Sequence, residues 1–313
     1  MSRLSENALR QAVTPDCHPG FIPGRGRHLA SAFYRLAYKL HHKLFLRPQP
    51  PIQTPVIIVG SYLAGGAGKT PFTIWLARHF YKQGKRIAIL CHSAAWDEFI
   101  MLQRAFESIQ SPPAASPQIK VFATRNRYST AKEIQDKFDI ILCDDGFEDT
   151  RFTGVRYICL DWQEPPTSWI HLMPAGPFRS LKQDHDERDI THLACYGNAP
   201  DIHFSIKFLT NSTTYKQFTA KIICGLGSPN RFIEDVRTFA STAGIQIAGS
   251  IIRPDHDRRF PQIVQAELSQ GNDIIISQKD ASRLPQALLS HPKLHVAIQK
   301  TEVSDKILQK LSL

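Results

Sequence analysis

Two short stretches carry residue types that suit phosphate chemistry. In Val56-Ile-Ile-Val-Gly-Ser-Tyr-Leu-Ala-Gly-Gly-Ala-Gly-Lys-Thr-Pro71, a β-branched apolar run enters a glycine-rich turn, and Gly68, Lys69 and Thr70 open a segment of helical period. The backbone N–H groups of Leu63, Ala64, Gly65, Gly66, Ala67 and Gly68 would close around phosphate oxygens. The helix N-terminus adds its positive end there. Lys69 would reach the β- and γ-phosphates, and the Thr70 hydroxyl would ligate Mg²⁺. Leu63 stands where the usual eight-residue pattern has its first glycine. A chance glycine-rich turn is the competing reading, but strand, loop and helix fall in the order a nucleoside triphosphate site requires. Downstream, Ile140-Ile-Leu-Cys-Asp144-Asp145-Gly146 ends a second apolar run in two carboxylates. Alone this is more often a turn. Beside a phosphate loop, Asp144 and Asp145 become ligands for Mg²⁺, direct or through water.

These side chains need a sheet whose strands end together. From Thr54 onward, short apolar runs alternate with helix-period segments: Val56–Val59, Arg86–Cys91, Lys120–Ala123, Ile140–Cys143 and Tyr157–Leu160, then Lys221–Cys224, Gln246–Ile252, Asp273–Ser277 and His295–Ile298. Runs this short and continuous imply strands buried on both faces, hence an α/β fold with a largely parallel sheet. Between them, Thr70–Tyr81 stripes Phe72, Trp75, Leu76, His79 and Phe80 before Gly84, and Asn230–Ala243 stripes Phe232, Val236, Phe239 and Ala240 before Gly244. The polar, Thr-rich stretch from about Ile202 to Ala220 holds the expected boundary. The reading is an N-terminal segment over 1–50, a P-loop NTPase-like domain over 51–210 and a smaller α/β domain over 211–313.

A composition of 42% hydrophobic and 21% charged residues excludes disorder and collagen-like repeats. The net charge of +10 asks for an anionic partner. Residues 1–50 hold eight basic and two acidic residues, so most of the excess lies there. Six scattered cysteines with no Cys-x-x-Cys pair read as small buried hydrophobes in a reducing compartment. No apolar run is long enough for a transmembrane helix, and the N-terminus lacks a secretory h-region. Over residues 25–47, Leu29, Phe33, Leu36, Ala37, Leu40 and Leu44 form one helical face, flanked by Arg35, Lys39 and Lys43, with Tyr34 and Tyr38 adding amphipathic rings. That is the pattern of a helix lying in an anionic membrane interface. Its rival is a helix packed on its own domain with a solvated basic side. No nucleic-acid module is recognisable, and no obligate protein partner is expected.

These residues also resemble a known family. Val59 to Pro71 is similar to the phosphate loop of tetraacyldisaccharide 4'-kinase, the lipid A pathway kinase, which likewise lacks a glycine where Leu63 stands. Asp144-Asp-Gly-Phe147, Leu172-Met-Pro-Ala-Gly-Pro-Phe-Arg179, Cys224-Gly-Leu-Gly-Ser-Pro-Asn-Arg-Phe232, Pro254-Asp-His256 and Ser277-Gln-Lys-Asp-Ala281 resemble further family segments in the family's order. The resemblance implies two Rossmann-like domains with the active site in the cleft between them. It implies transfer of the ATP γ-phosphoryl group to the 4'-hydroxyl of a tetraacyldisaccharide 1-phosphate, giving lipid IVA, with Mg²⁺ as cofactor. It places the protein peripherally at the cytoplasmic face of the inner membrane, with residues 25–47 as the membrane-associated helix. By the same resemblance Asp97 and His256 activate the sugar hydroxyl, beside catalytic Lys69, and Arg127 binds phosphate.

The chain departs from the family at several positions near that site. The loop after the second strand is reduced to Cys91-His-Ser-Ala-Ala95, and the histidine of Asp-Asp-Gly-Leu-Gln-His is Asp149. Ser61 and Gln278 replace an Asn and a Glu. These changes leave a second reading open: a catalytically impaired nucleotide-binding relative with a regulatory or scaffolding role at the membrane.

Overall fold

The structure, a computed structural model, describes residues 25–107, 117–196, 199–208, 218–227, 229–255 and 257–311. Among these, residues 25–203 with 303–311 form one compact unit and 204–302 another. The division thus differs from the expected boundaries at 50 and 210. The N-terminal helix and the C-terminal segment both lie with the first unit.

The first unit is built on six parallel strands: β1 (Val56–Gly60), β2 (Ile87–His92), β3 (Ile119–Thr124), β4 (Ile140–Asp144), β5 (Arg156–Asp161) and β6 (Ile190–Ala194). Their order is β3-β2-β4-β1-β5-β6. Every residue of β1 and β4 is buried, as two-sided burial of a central parallel strand requires. β1 therefore lies between β4 and β5, with Val59 level with Asp144 on one side and Gly60 with Cys159 on the other. This register brings the loop after β1 and the carboxylates that end β4 to the same edge of the sheet. β6 escaped the sequence reading because Ile-Thr-His-Leu-Ala is half polar, as befits an edge strand.

Helix α2 (Lys69–Lys82) follows the loop after β1. It starts from Gly68, whose φ of 78° only glycine adopts without strain, and stops at Gly84, φ 81°. Phe72, Leu76, Ala77 and Phe80 face the sheet, while Trp75 and His79 from the expected stripe are only partly buried and stack on each other. Helices α3 (Trp96–Phe106) and α4 (Arg127–Ile134) follow β2 and β3.

Helix α1 (Arg25–Phe45) reverses the usual rule for an amphipathic helix. Its apolar stripe points away from the protein, with Leu29, Phe33, Leu36 and Leu40 all more than half exposed. Its inner face is polar and aromatic. The Ser31 hydroxyl donates to the Leu172 carbonyl at 2.8 Å, and the Tyr34 hydroxyl to the Arg179 carbonyl at 2.9 Å. Tyr38 bonds Glu148. Arg35, expected beside the stripe among the outward basic residues, instead forms a paired contact with Asp184. Lys39 and Lys43 are exposed.

The second unit holds a five-stranded sheet in the order β7-β11-β10-β8-β9, built from β7 (Ile202–Phe208), β8 (Thr219–Cys224), β9 (Gln246–Ile252), β10 (Asp273–Ser277) and β11 (Leu294–Val303). β7 falls inside the stretch read as a polar boundary, where Ile202, Phe204 and Phe208 alternate toward the core. Helix α5 (Pro229–Ala243) packs Phe232, Val236 and Ala240 on the sheet, with Phe239 partly buried against the same cluster. Helix α6 (Phe260–Ser269) packs Phe260, Val264 and Leu268. α7 (Gln278–Ala281), α8 (Gln286–Leu289) and α9 (Asp305–Leu311) complete the chain. The five described cysteines are buried and free.

Candidate active site

The site grows from the junction of β1, β4 and α2. Gly60 ends β1 where a Cβ would lie 2.2 Å from Cβ of Phe147, so only glycine allows the chain after β4 to pass this close. Beyond it, Ser61 donates to the Leu160 carbonyl at 2.9 Å and accepts the Leu63 amide at 3.2 Å. Leu63 pairs with Phe178, and the Ala64 amide donates to the Pro177 carbonyl at 2.9 Å. The amides of Leu63 and Ala64, both expected at phosphate, are thus engaged by the protein itself. The turn proper runs Gly65, Gly66, Ala67 and Gly68, with Gly66 at φ 70° and the Ala67 carbonyl accepting the Trp162 indole N–H at 2.9 Å. Leucine replaces the usual first glycine because this position belongs to a clasp with residues 177–178 and partly buries its side chain in the core.

Thr70, in the first turn of α2, donates through Oγ1 to Asp144 Oδ2 at 2.8 Å, and Thr73 donates to Oδ1 at 2.9 Å. Asp144 is 1% exposed, and burial raises its pKa despite these two hydroxyls. Among the described residues no cationic side chain lies within salt-bridge distance of it. Asp145, at φ 52°, is the one described non-glycine residue in the left-handed region. Its carboxylate lies 3.2 Å from Lys69 Nζ, and both its oxygens lie 3.0 Å from Arg179 Nη1. Burial alone would push Asp145 up, but Lys69 and Arg179 outweigh it and hold the carboxyl well below the usual range. The second Arg179 nitrogen, Nη2, donates to the Ala64 carbonyl, tying the phosphate loop to the same guanidinium.

Arg127 opens α4, whose Asn126 cap accepts the Ser129 amide. Its Nη2 donates to the Asp144 carbonyl at 2.9 Å, and its Nε is buried without a hydrogen-bond partner. Lys69, Thr70, Arg127, Asp144 and Asp145 are thus brought together. Asp97 is buried in the first turn of α3, its Oδ1 accepting the Glu98 amide at 3.1 Å. His256 lies outside the described residues.

The sequence reading offers Arg179, at the end of the family-like segment 172–179, as a cation for phosphate. Its grip on Asp145 and Ala64 has no local mark, since these partners lie 34 and 115 residues away. The second unit has a comparable convergence. Gly225 after β8, Asp255 after β9 and Ser277–Ala281 at the end of β10 meet through Asp280 and Arg283. Asp280 accepts the Gly225 amide at 3.2 Å and the Ser277 hydroxyl at 2.7 Å, while Arg283 Nη2 donates to the Gly225 carbonyl at 3.1 Å and to Asp255 at 2.6 Å.

The donor set suits a hard divalent cation. Thr70, Asp144 and Asp145 offer only oxygens, and Asp144 is a buried carboxyl bonded to hydroxyls alone, the group whose burial such an ion would compensate. Lysine, the glycine turn and the start of α2 supply positive potential for phosphates beside it.

A family model described as Tetraacyldisaccharide-1-P 4'-kinase matches residues 28–94 and 113–312. The chain is 25% identical to the tetraacyldisaccharide 4'-kinase of Chlamydia caviae, over 83% of this chain and 80% of that protein. It is 28% identical to that of Haemophilus influenzae, over 80% and 81% respectively. A solved structure of LpxK from Aquifex aeolicus in complex with ATP matches with a TM-score of 0.58 at 19% identity, covering 91% of this chain and 95% of that one, a likeness of fold.

Proposed function

The chain belongs to the tetraacyldisaccharide-1-P 4'-kinase family, and from that premise we propose how its residues divide the work of the transfer. It is an ATP-dependent phosphotransferase that moves the γ-phosphoryl group to the 4'-hydroxyl of a tetraacyldisaccharide 1-phosphate, giving lipid IVA. The observation that carries the assignment of roles is the bonded cluster of Thr70 with Asp144 and of Lys69 and Arg179 with Asp145.

Phosphoryl transfer passes through a loose transition state, so the protein's task is positioning and electrostatic stabilisation. The turn Gly65–Gly68 and the start of α2 bind the phosphates through backbone N–H groups. Lys69 lies where it can leave Asp145 for the γ-phosphoryl oxygens, and Arg127 adds its buried guanidinium. Thr70, Asp144 and Asp145 would hold Mg²⁺, which would supply positive charge to offset that on the phosphoryl oxygens. Acceptor activation we assign to Asp97 and His256, on the likeness of their segments to the family's. A carboxylate suffices as base because the alcohol loses its proton late.

The lipid acceptor and the exposed stripe of α1 belong together. Leu29, Phe33, Leu36, Leu40 and Leu44 form one outward apolar face, and Lys39, Lys43 and Arg47 lie exposed around it. Among the described residues no helix is long and apolar enough to cross a membrane. The exposed stripe with its flanking cations supports a helix in the headgroup region of an anionic bilayer, and we assign the protein a peripheral position at the cytoplasmic face of the inner membrane on that reading.

The test is a reaction of the purified chain with ATP, Mg²⁺ and the tetraacyldisaccharide 1-phosphate, read by mass spectrometry of the lipid. A product heavier by one phosphoryl group, absent with Lys69→Ala, supports the reading. Nucleotide binding without transfer would return the protein to a non-catalytic role.

A further inference from the structure

Helix α1 bears its exposed stripe on one face and a chain of hydrogen bonds into the metal-ligating end of β4 on the other. Four of its residues bond the segment 172–184 or its neighbour Glu148. Ser31 donates to the Leu172 carbonyl at 2.8 Å and accepts the Ala175 amide at 3.0 Å. Tyr34 donates to the Arg179 carbonyl at 2.9 Å, and Arg35 pairs with Asp184. Tyr38 donates to Glu148, whose other oxygen accepts the Ser180 hydroxyl at 2.8 Å.

Arg179 is the point where these bonds reach the site. Its amide donates to the Tyr62 carbonyl at 2.9 Å, its carbonyl is held by Tyr34, and its guanidinium grips Asp145 and Ala64. Asp145 gains from such a grip. An aspartate at φ 52° sits in the left-handed region, which aspartate tolerates at a modest cost that the bonds of Arg179 and Lys69 help to offset. The segment that supplies Arg179 has little regular structure of its own, a 3₁₀ turn at Trp169–His171 and another at Lys182–Asp184. Its outer side is covered by α1.

We infer that α1 is a positioning element of the metal–nucleotide site: through Tyr34 it fixes the backbone at Arg179, through Tyr38 and Glu148 it holds the Ser180 side chain beside it, and through Arg179 it sets the Asp145 carboxylate. The inference rests on the reading of Thr70, Asp144 and Asp145 as the metal ligands. It makes one helix responsible for both surface contact and site geometry, so a membrane that reorients α1 acts on Asp145 through Arg179.

The test compares Tyr34→Phe/Tyr38→Phe, which keeps both rings and removes both hydroxyls, with Phe33→Ser/Leu40→Ser on the opposite face. Affinity for Mn²⁺ is read from the free-ion electron paramagnetic resonance signal with a saturating non-hydrolysable ATP analogue. Retention on vesicles of phosphatidylethanolamine and phosphatidylglycerol is measured in parallel. The tyrosine variant should bind Mn²⁺ about 3- to 10-fold more weakly, the loss expected for one or two hydrogen bonds, with vesicle retention unchanged. The serine variant should show the opposite pattern. Unchanged Mn²⁺ affinity in the tyrosine variant overturns the inference, as does a wild-type chain that takes up no Mn²⁺ with the analogue. If the double variant does not fold, Tyr34→Phe alone, lacking only the bond to Arg179, decides by the same reading. Because the measurement needs no acceptor, absence of phosphate transfer would sink the kinase reading without touching this result.

Discussion

Arg35 and Asp184 form a paired guanidinium–carboxylate contact in which only 13% and 11% of the two side chains remain exposed. A residue that sequence periodicity places among the outward cations is therefore part of the seam that fastens α1 to the protein. The Asp184 carboxylate also accepts the Leu181 amide at 2.9 Å, so the pair anchors the segment that carries Arg179. Arg35→Ala leaves a poorly solvated carboxylate without its partner and should lower stability by roughly 2–3 kcal/mol. Urea unfolding checks this. A loss below about 0.5 kcal/mol would place the contact among ordinary surface pairs.

Lys69→Ala removes one of the two cations paired with Asp145, the one positioned for developing phosphoryl charge. Transfer should fall by about 10²- to 10³-fold, the loss typical of removing one preorganised electrostatic group. A steady-state assay at saturating ATP measures it. The fold should survive, since Arg179 still pairs with Asp145.

Asp144→Asn separates function from stability. Burial pushes the Asp144 carboxyl up, with the neighbouring Asp145 charge adding to it against the Thr70 and Thr73 hydroxyls, so the charged form is tolerated rather than favoured. The amide removes that strain while still accepting from a threonine. Transfer should drop by at least about 10²-fold. The thermal midpoint near neutral pH should stay level or rise, as scanning calorimetry would record.

Phe33→Ser, Leu36→Ser and Leu40→Ser together remove three side chains that are each at least 54% exposed and touch no core. Vesicle retention should collapse by at least about tenfold, while the unfolding midpoint shifts little. Unchanged sedimentation with anionic vesicles would reject α1 as the anchor.

Asp280 gives the second unit a pH signature. Burial raises its carboxyl from the ordinary 3.8 to about 6, against the Ser277 hydroxyl and the Arg283 charge. The folded pKa is the higher one, so the contribution to stability is full below 3.8 and is lost as pH rises through about 6. Relative to Asp280→Asn, the wild type should lose roughly 3 kcal/mol between about pH 4 and pH 7. Urea titrations at stepped pH test it, and a difference that does not vary with pH would assign the proton elsewhere.

The sequence by itself determined the elements that carry local period. An apolar run, a glycine turn and an amphipathic stripe announce β1, the phosphate loop and α2, because burial on both faces of a strand or on one side of a helix repeats every few residues. The Asp144–Asp145 end of β4 was legible for the same reason, and so were the paired strands of both sheets apart from β6 and β7, where half the residues are polar. Tertiary structure alone decided which face of α1 points outward, since Ser31, Tyr34, Arg35 and Tyr38 bury themselves by bonding partners more than a hundred residues away. It alone made Arg179 the holder of Asp145, and it engaged the Leu63 amide with the Ser61 hydroxyl and the Ala64 amide with the Pro177 carbonyl. A periodic pattern records what a residue needs from its surroundings. Which distant group meets that need depends on how the strands line up, and no local spacing encodes that.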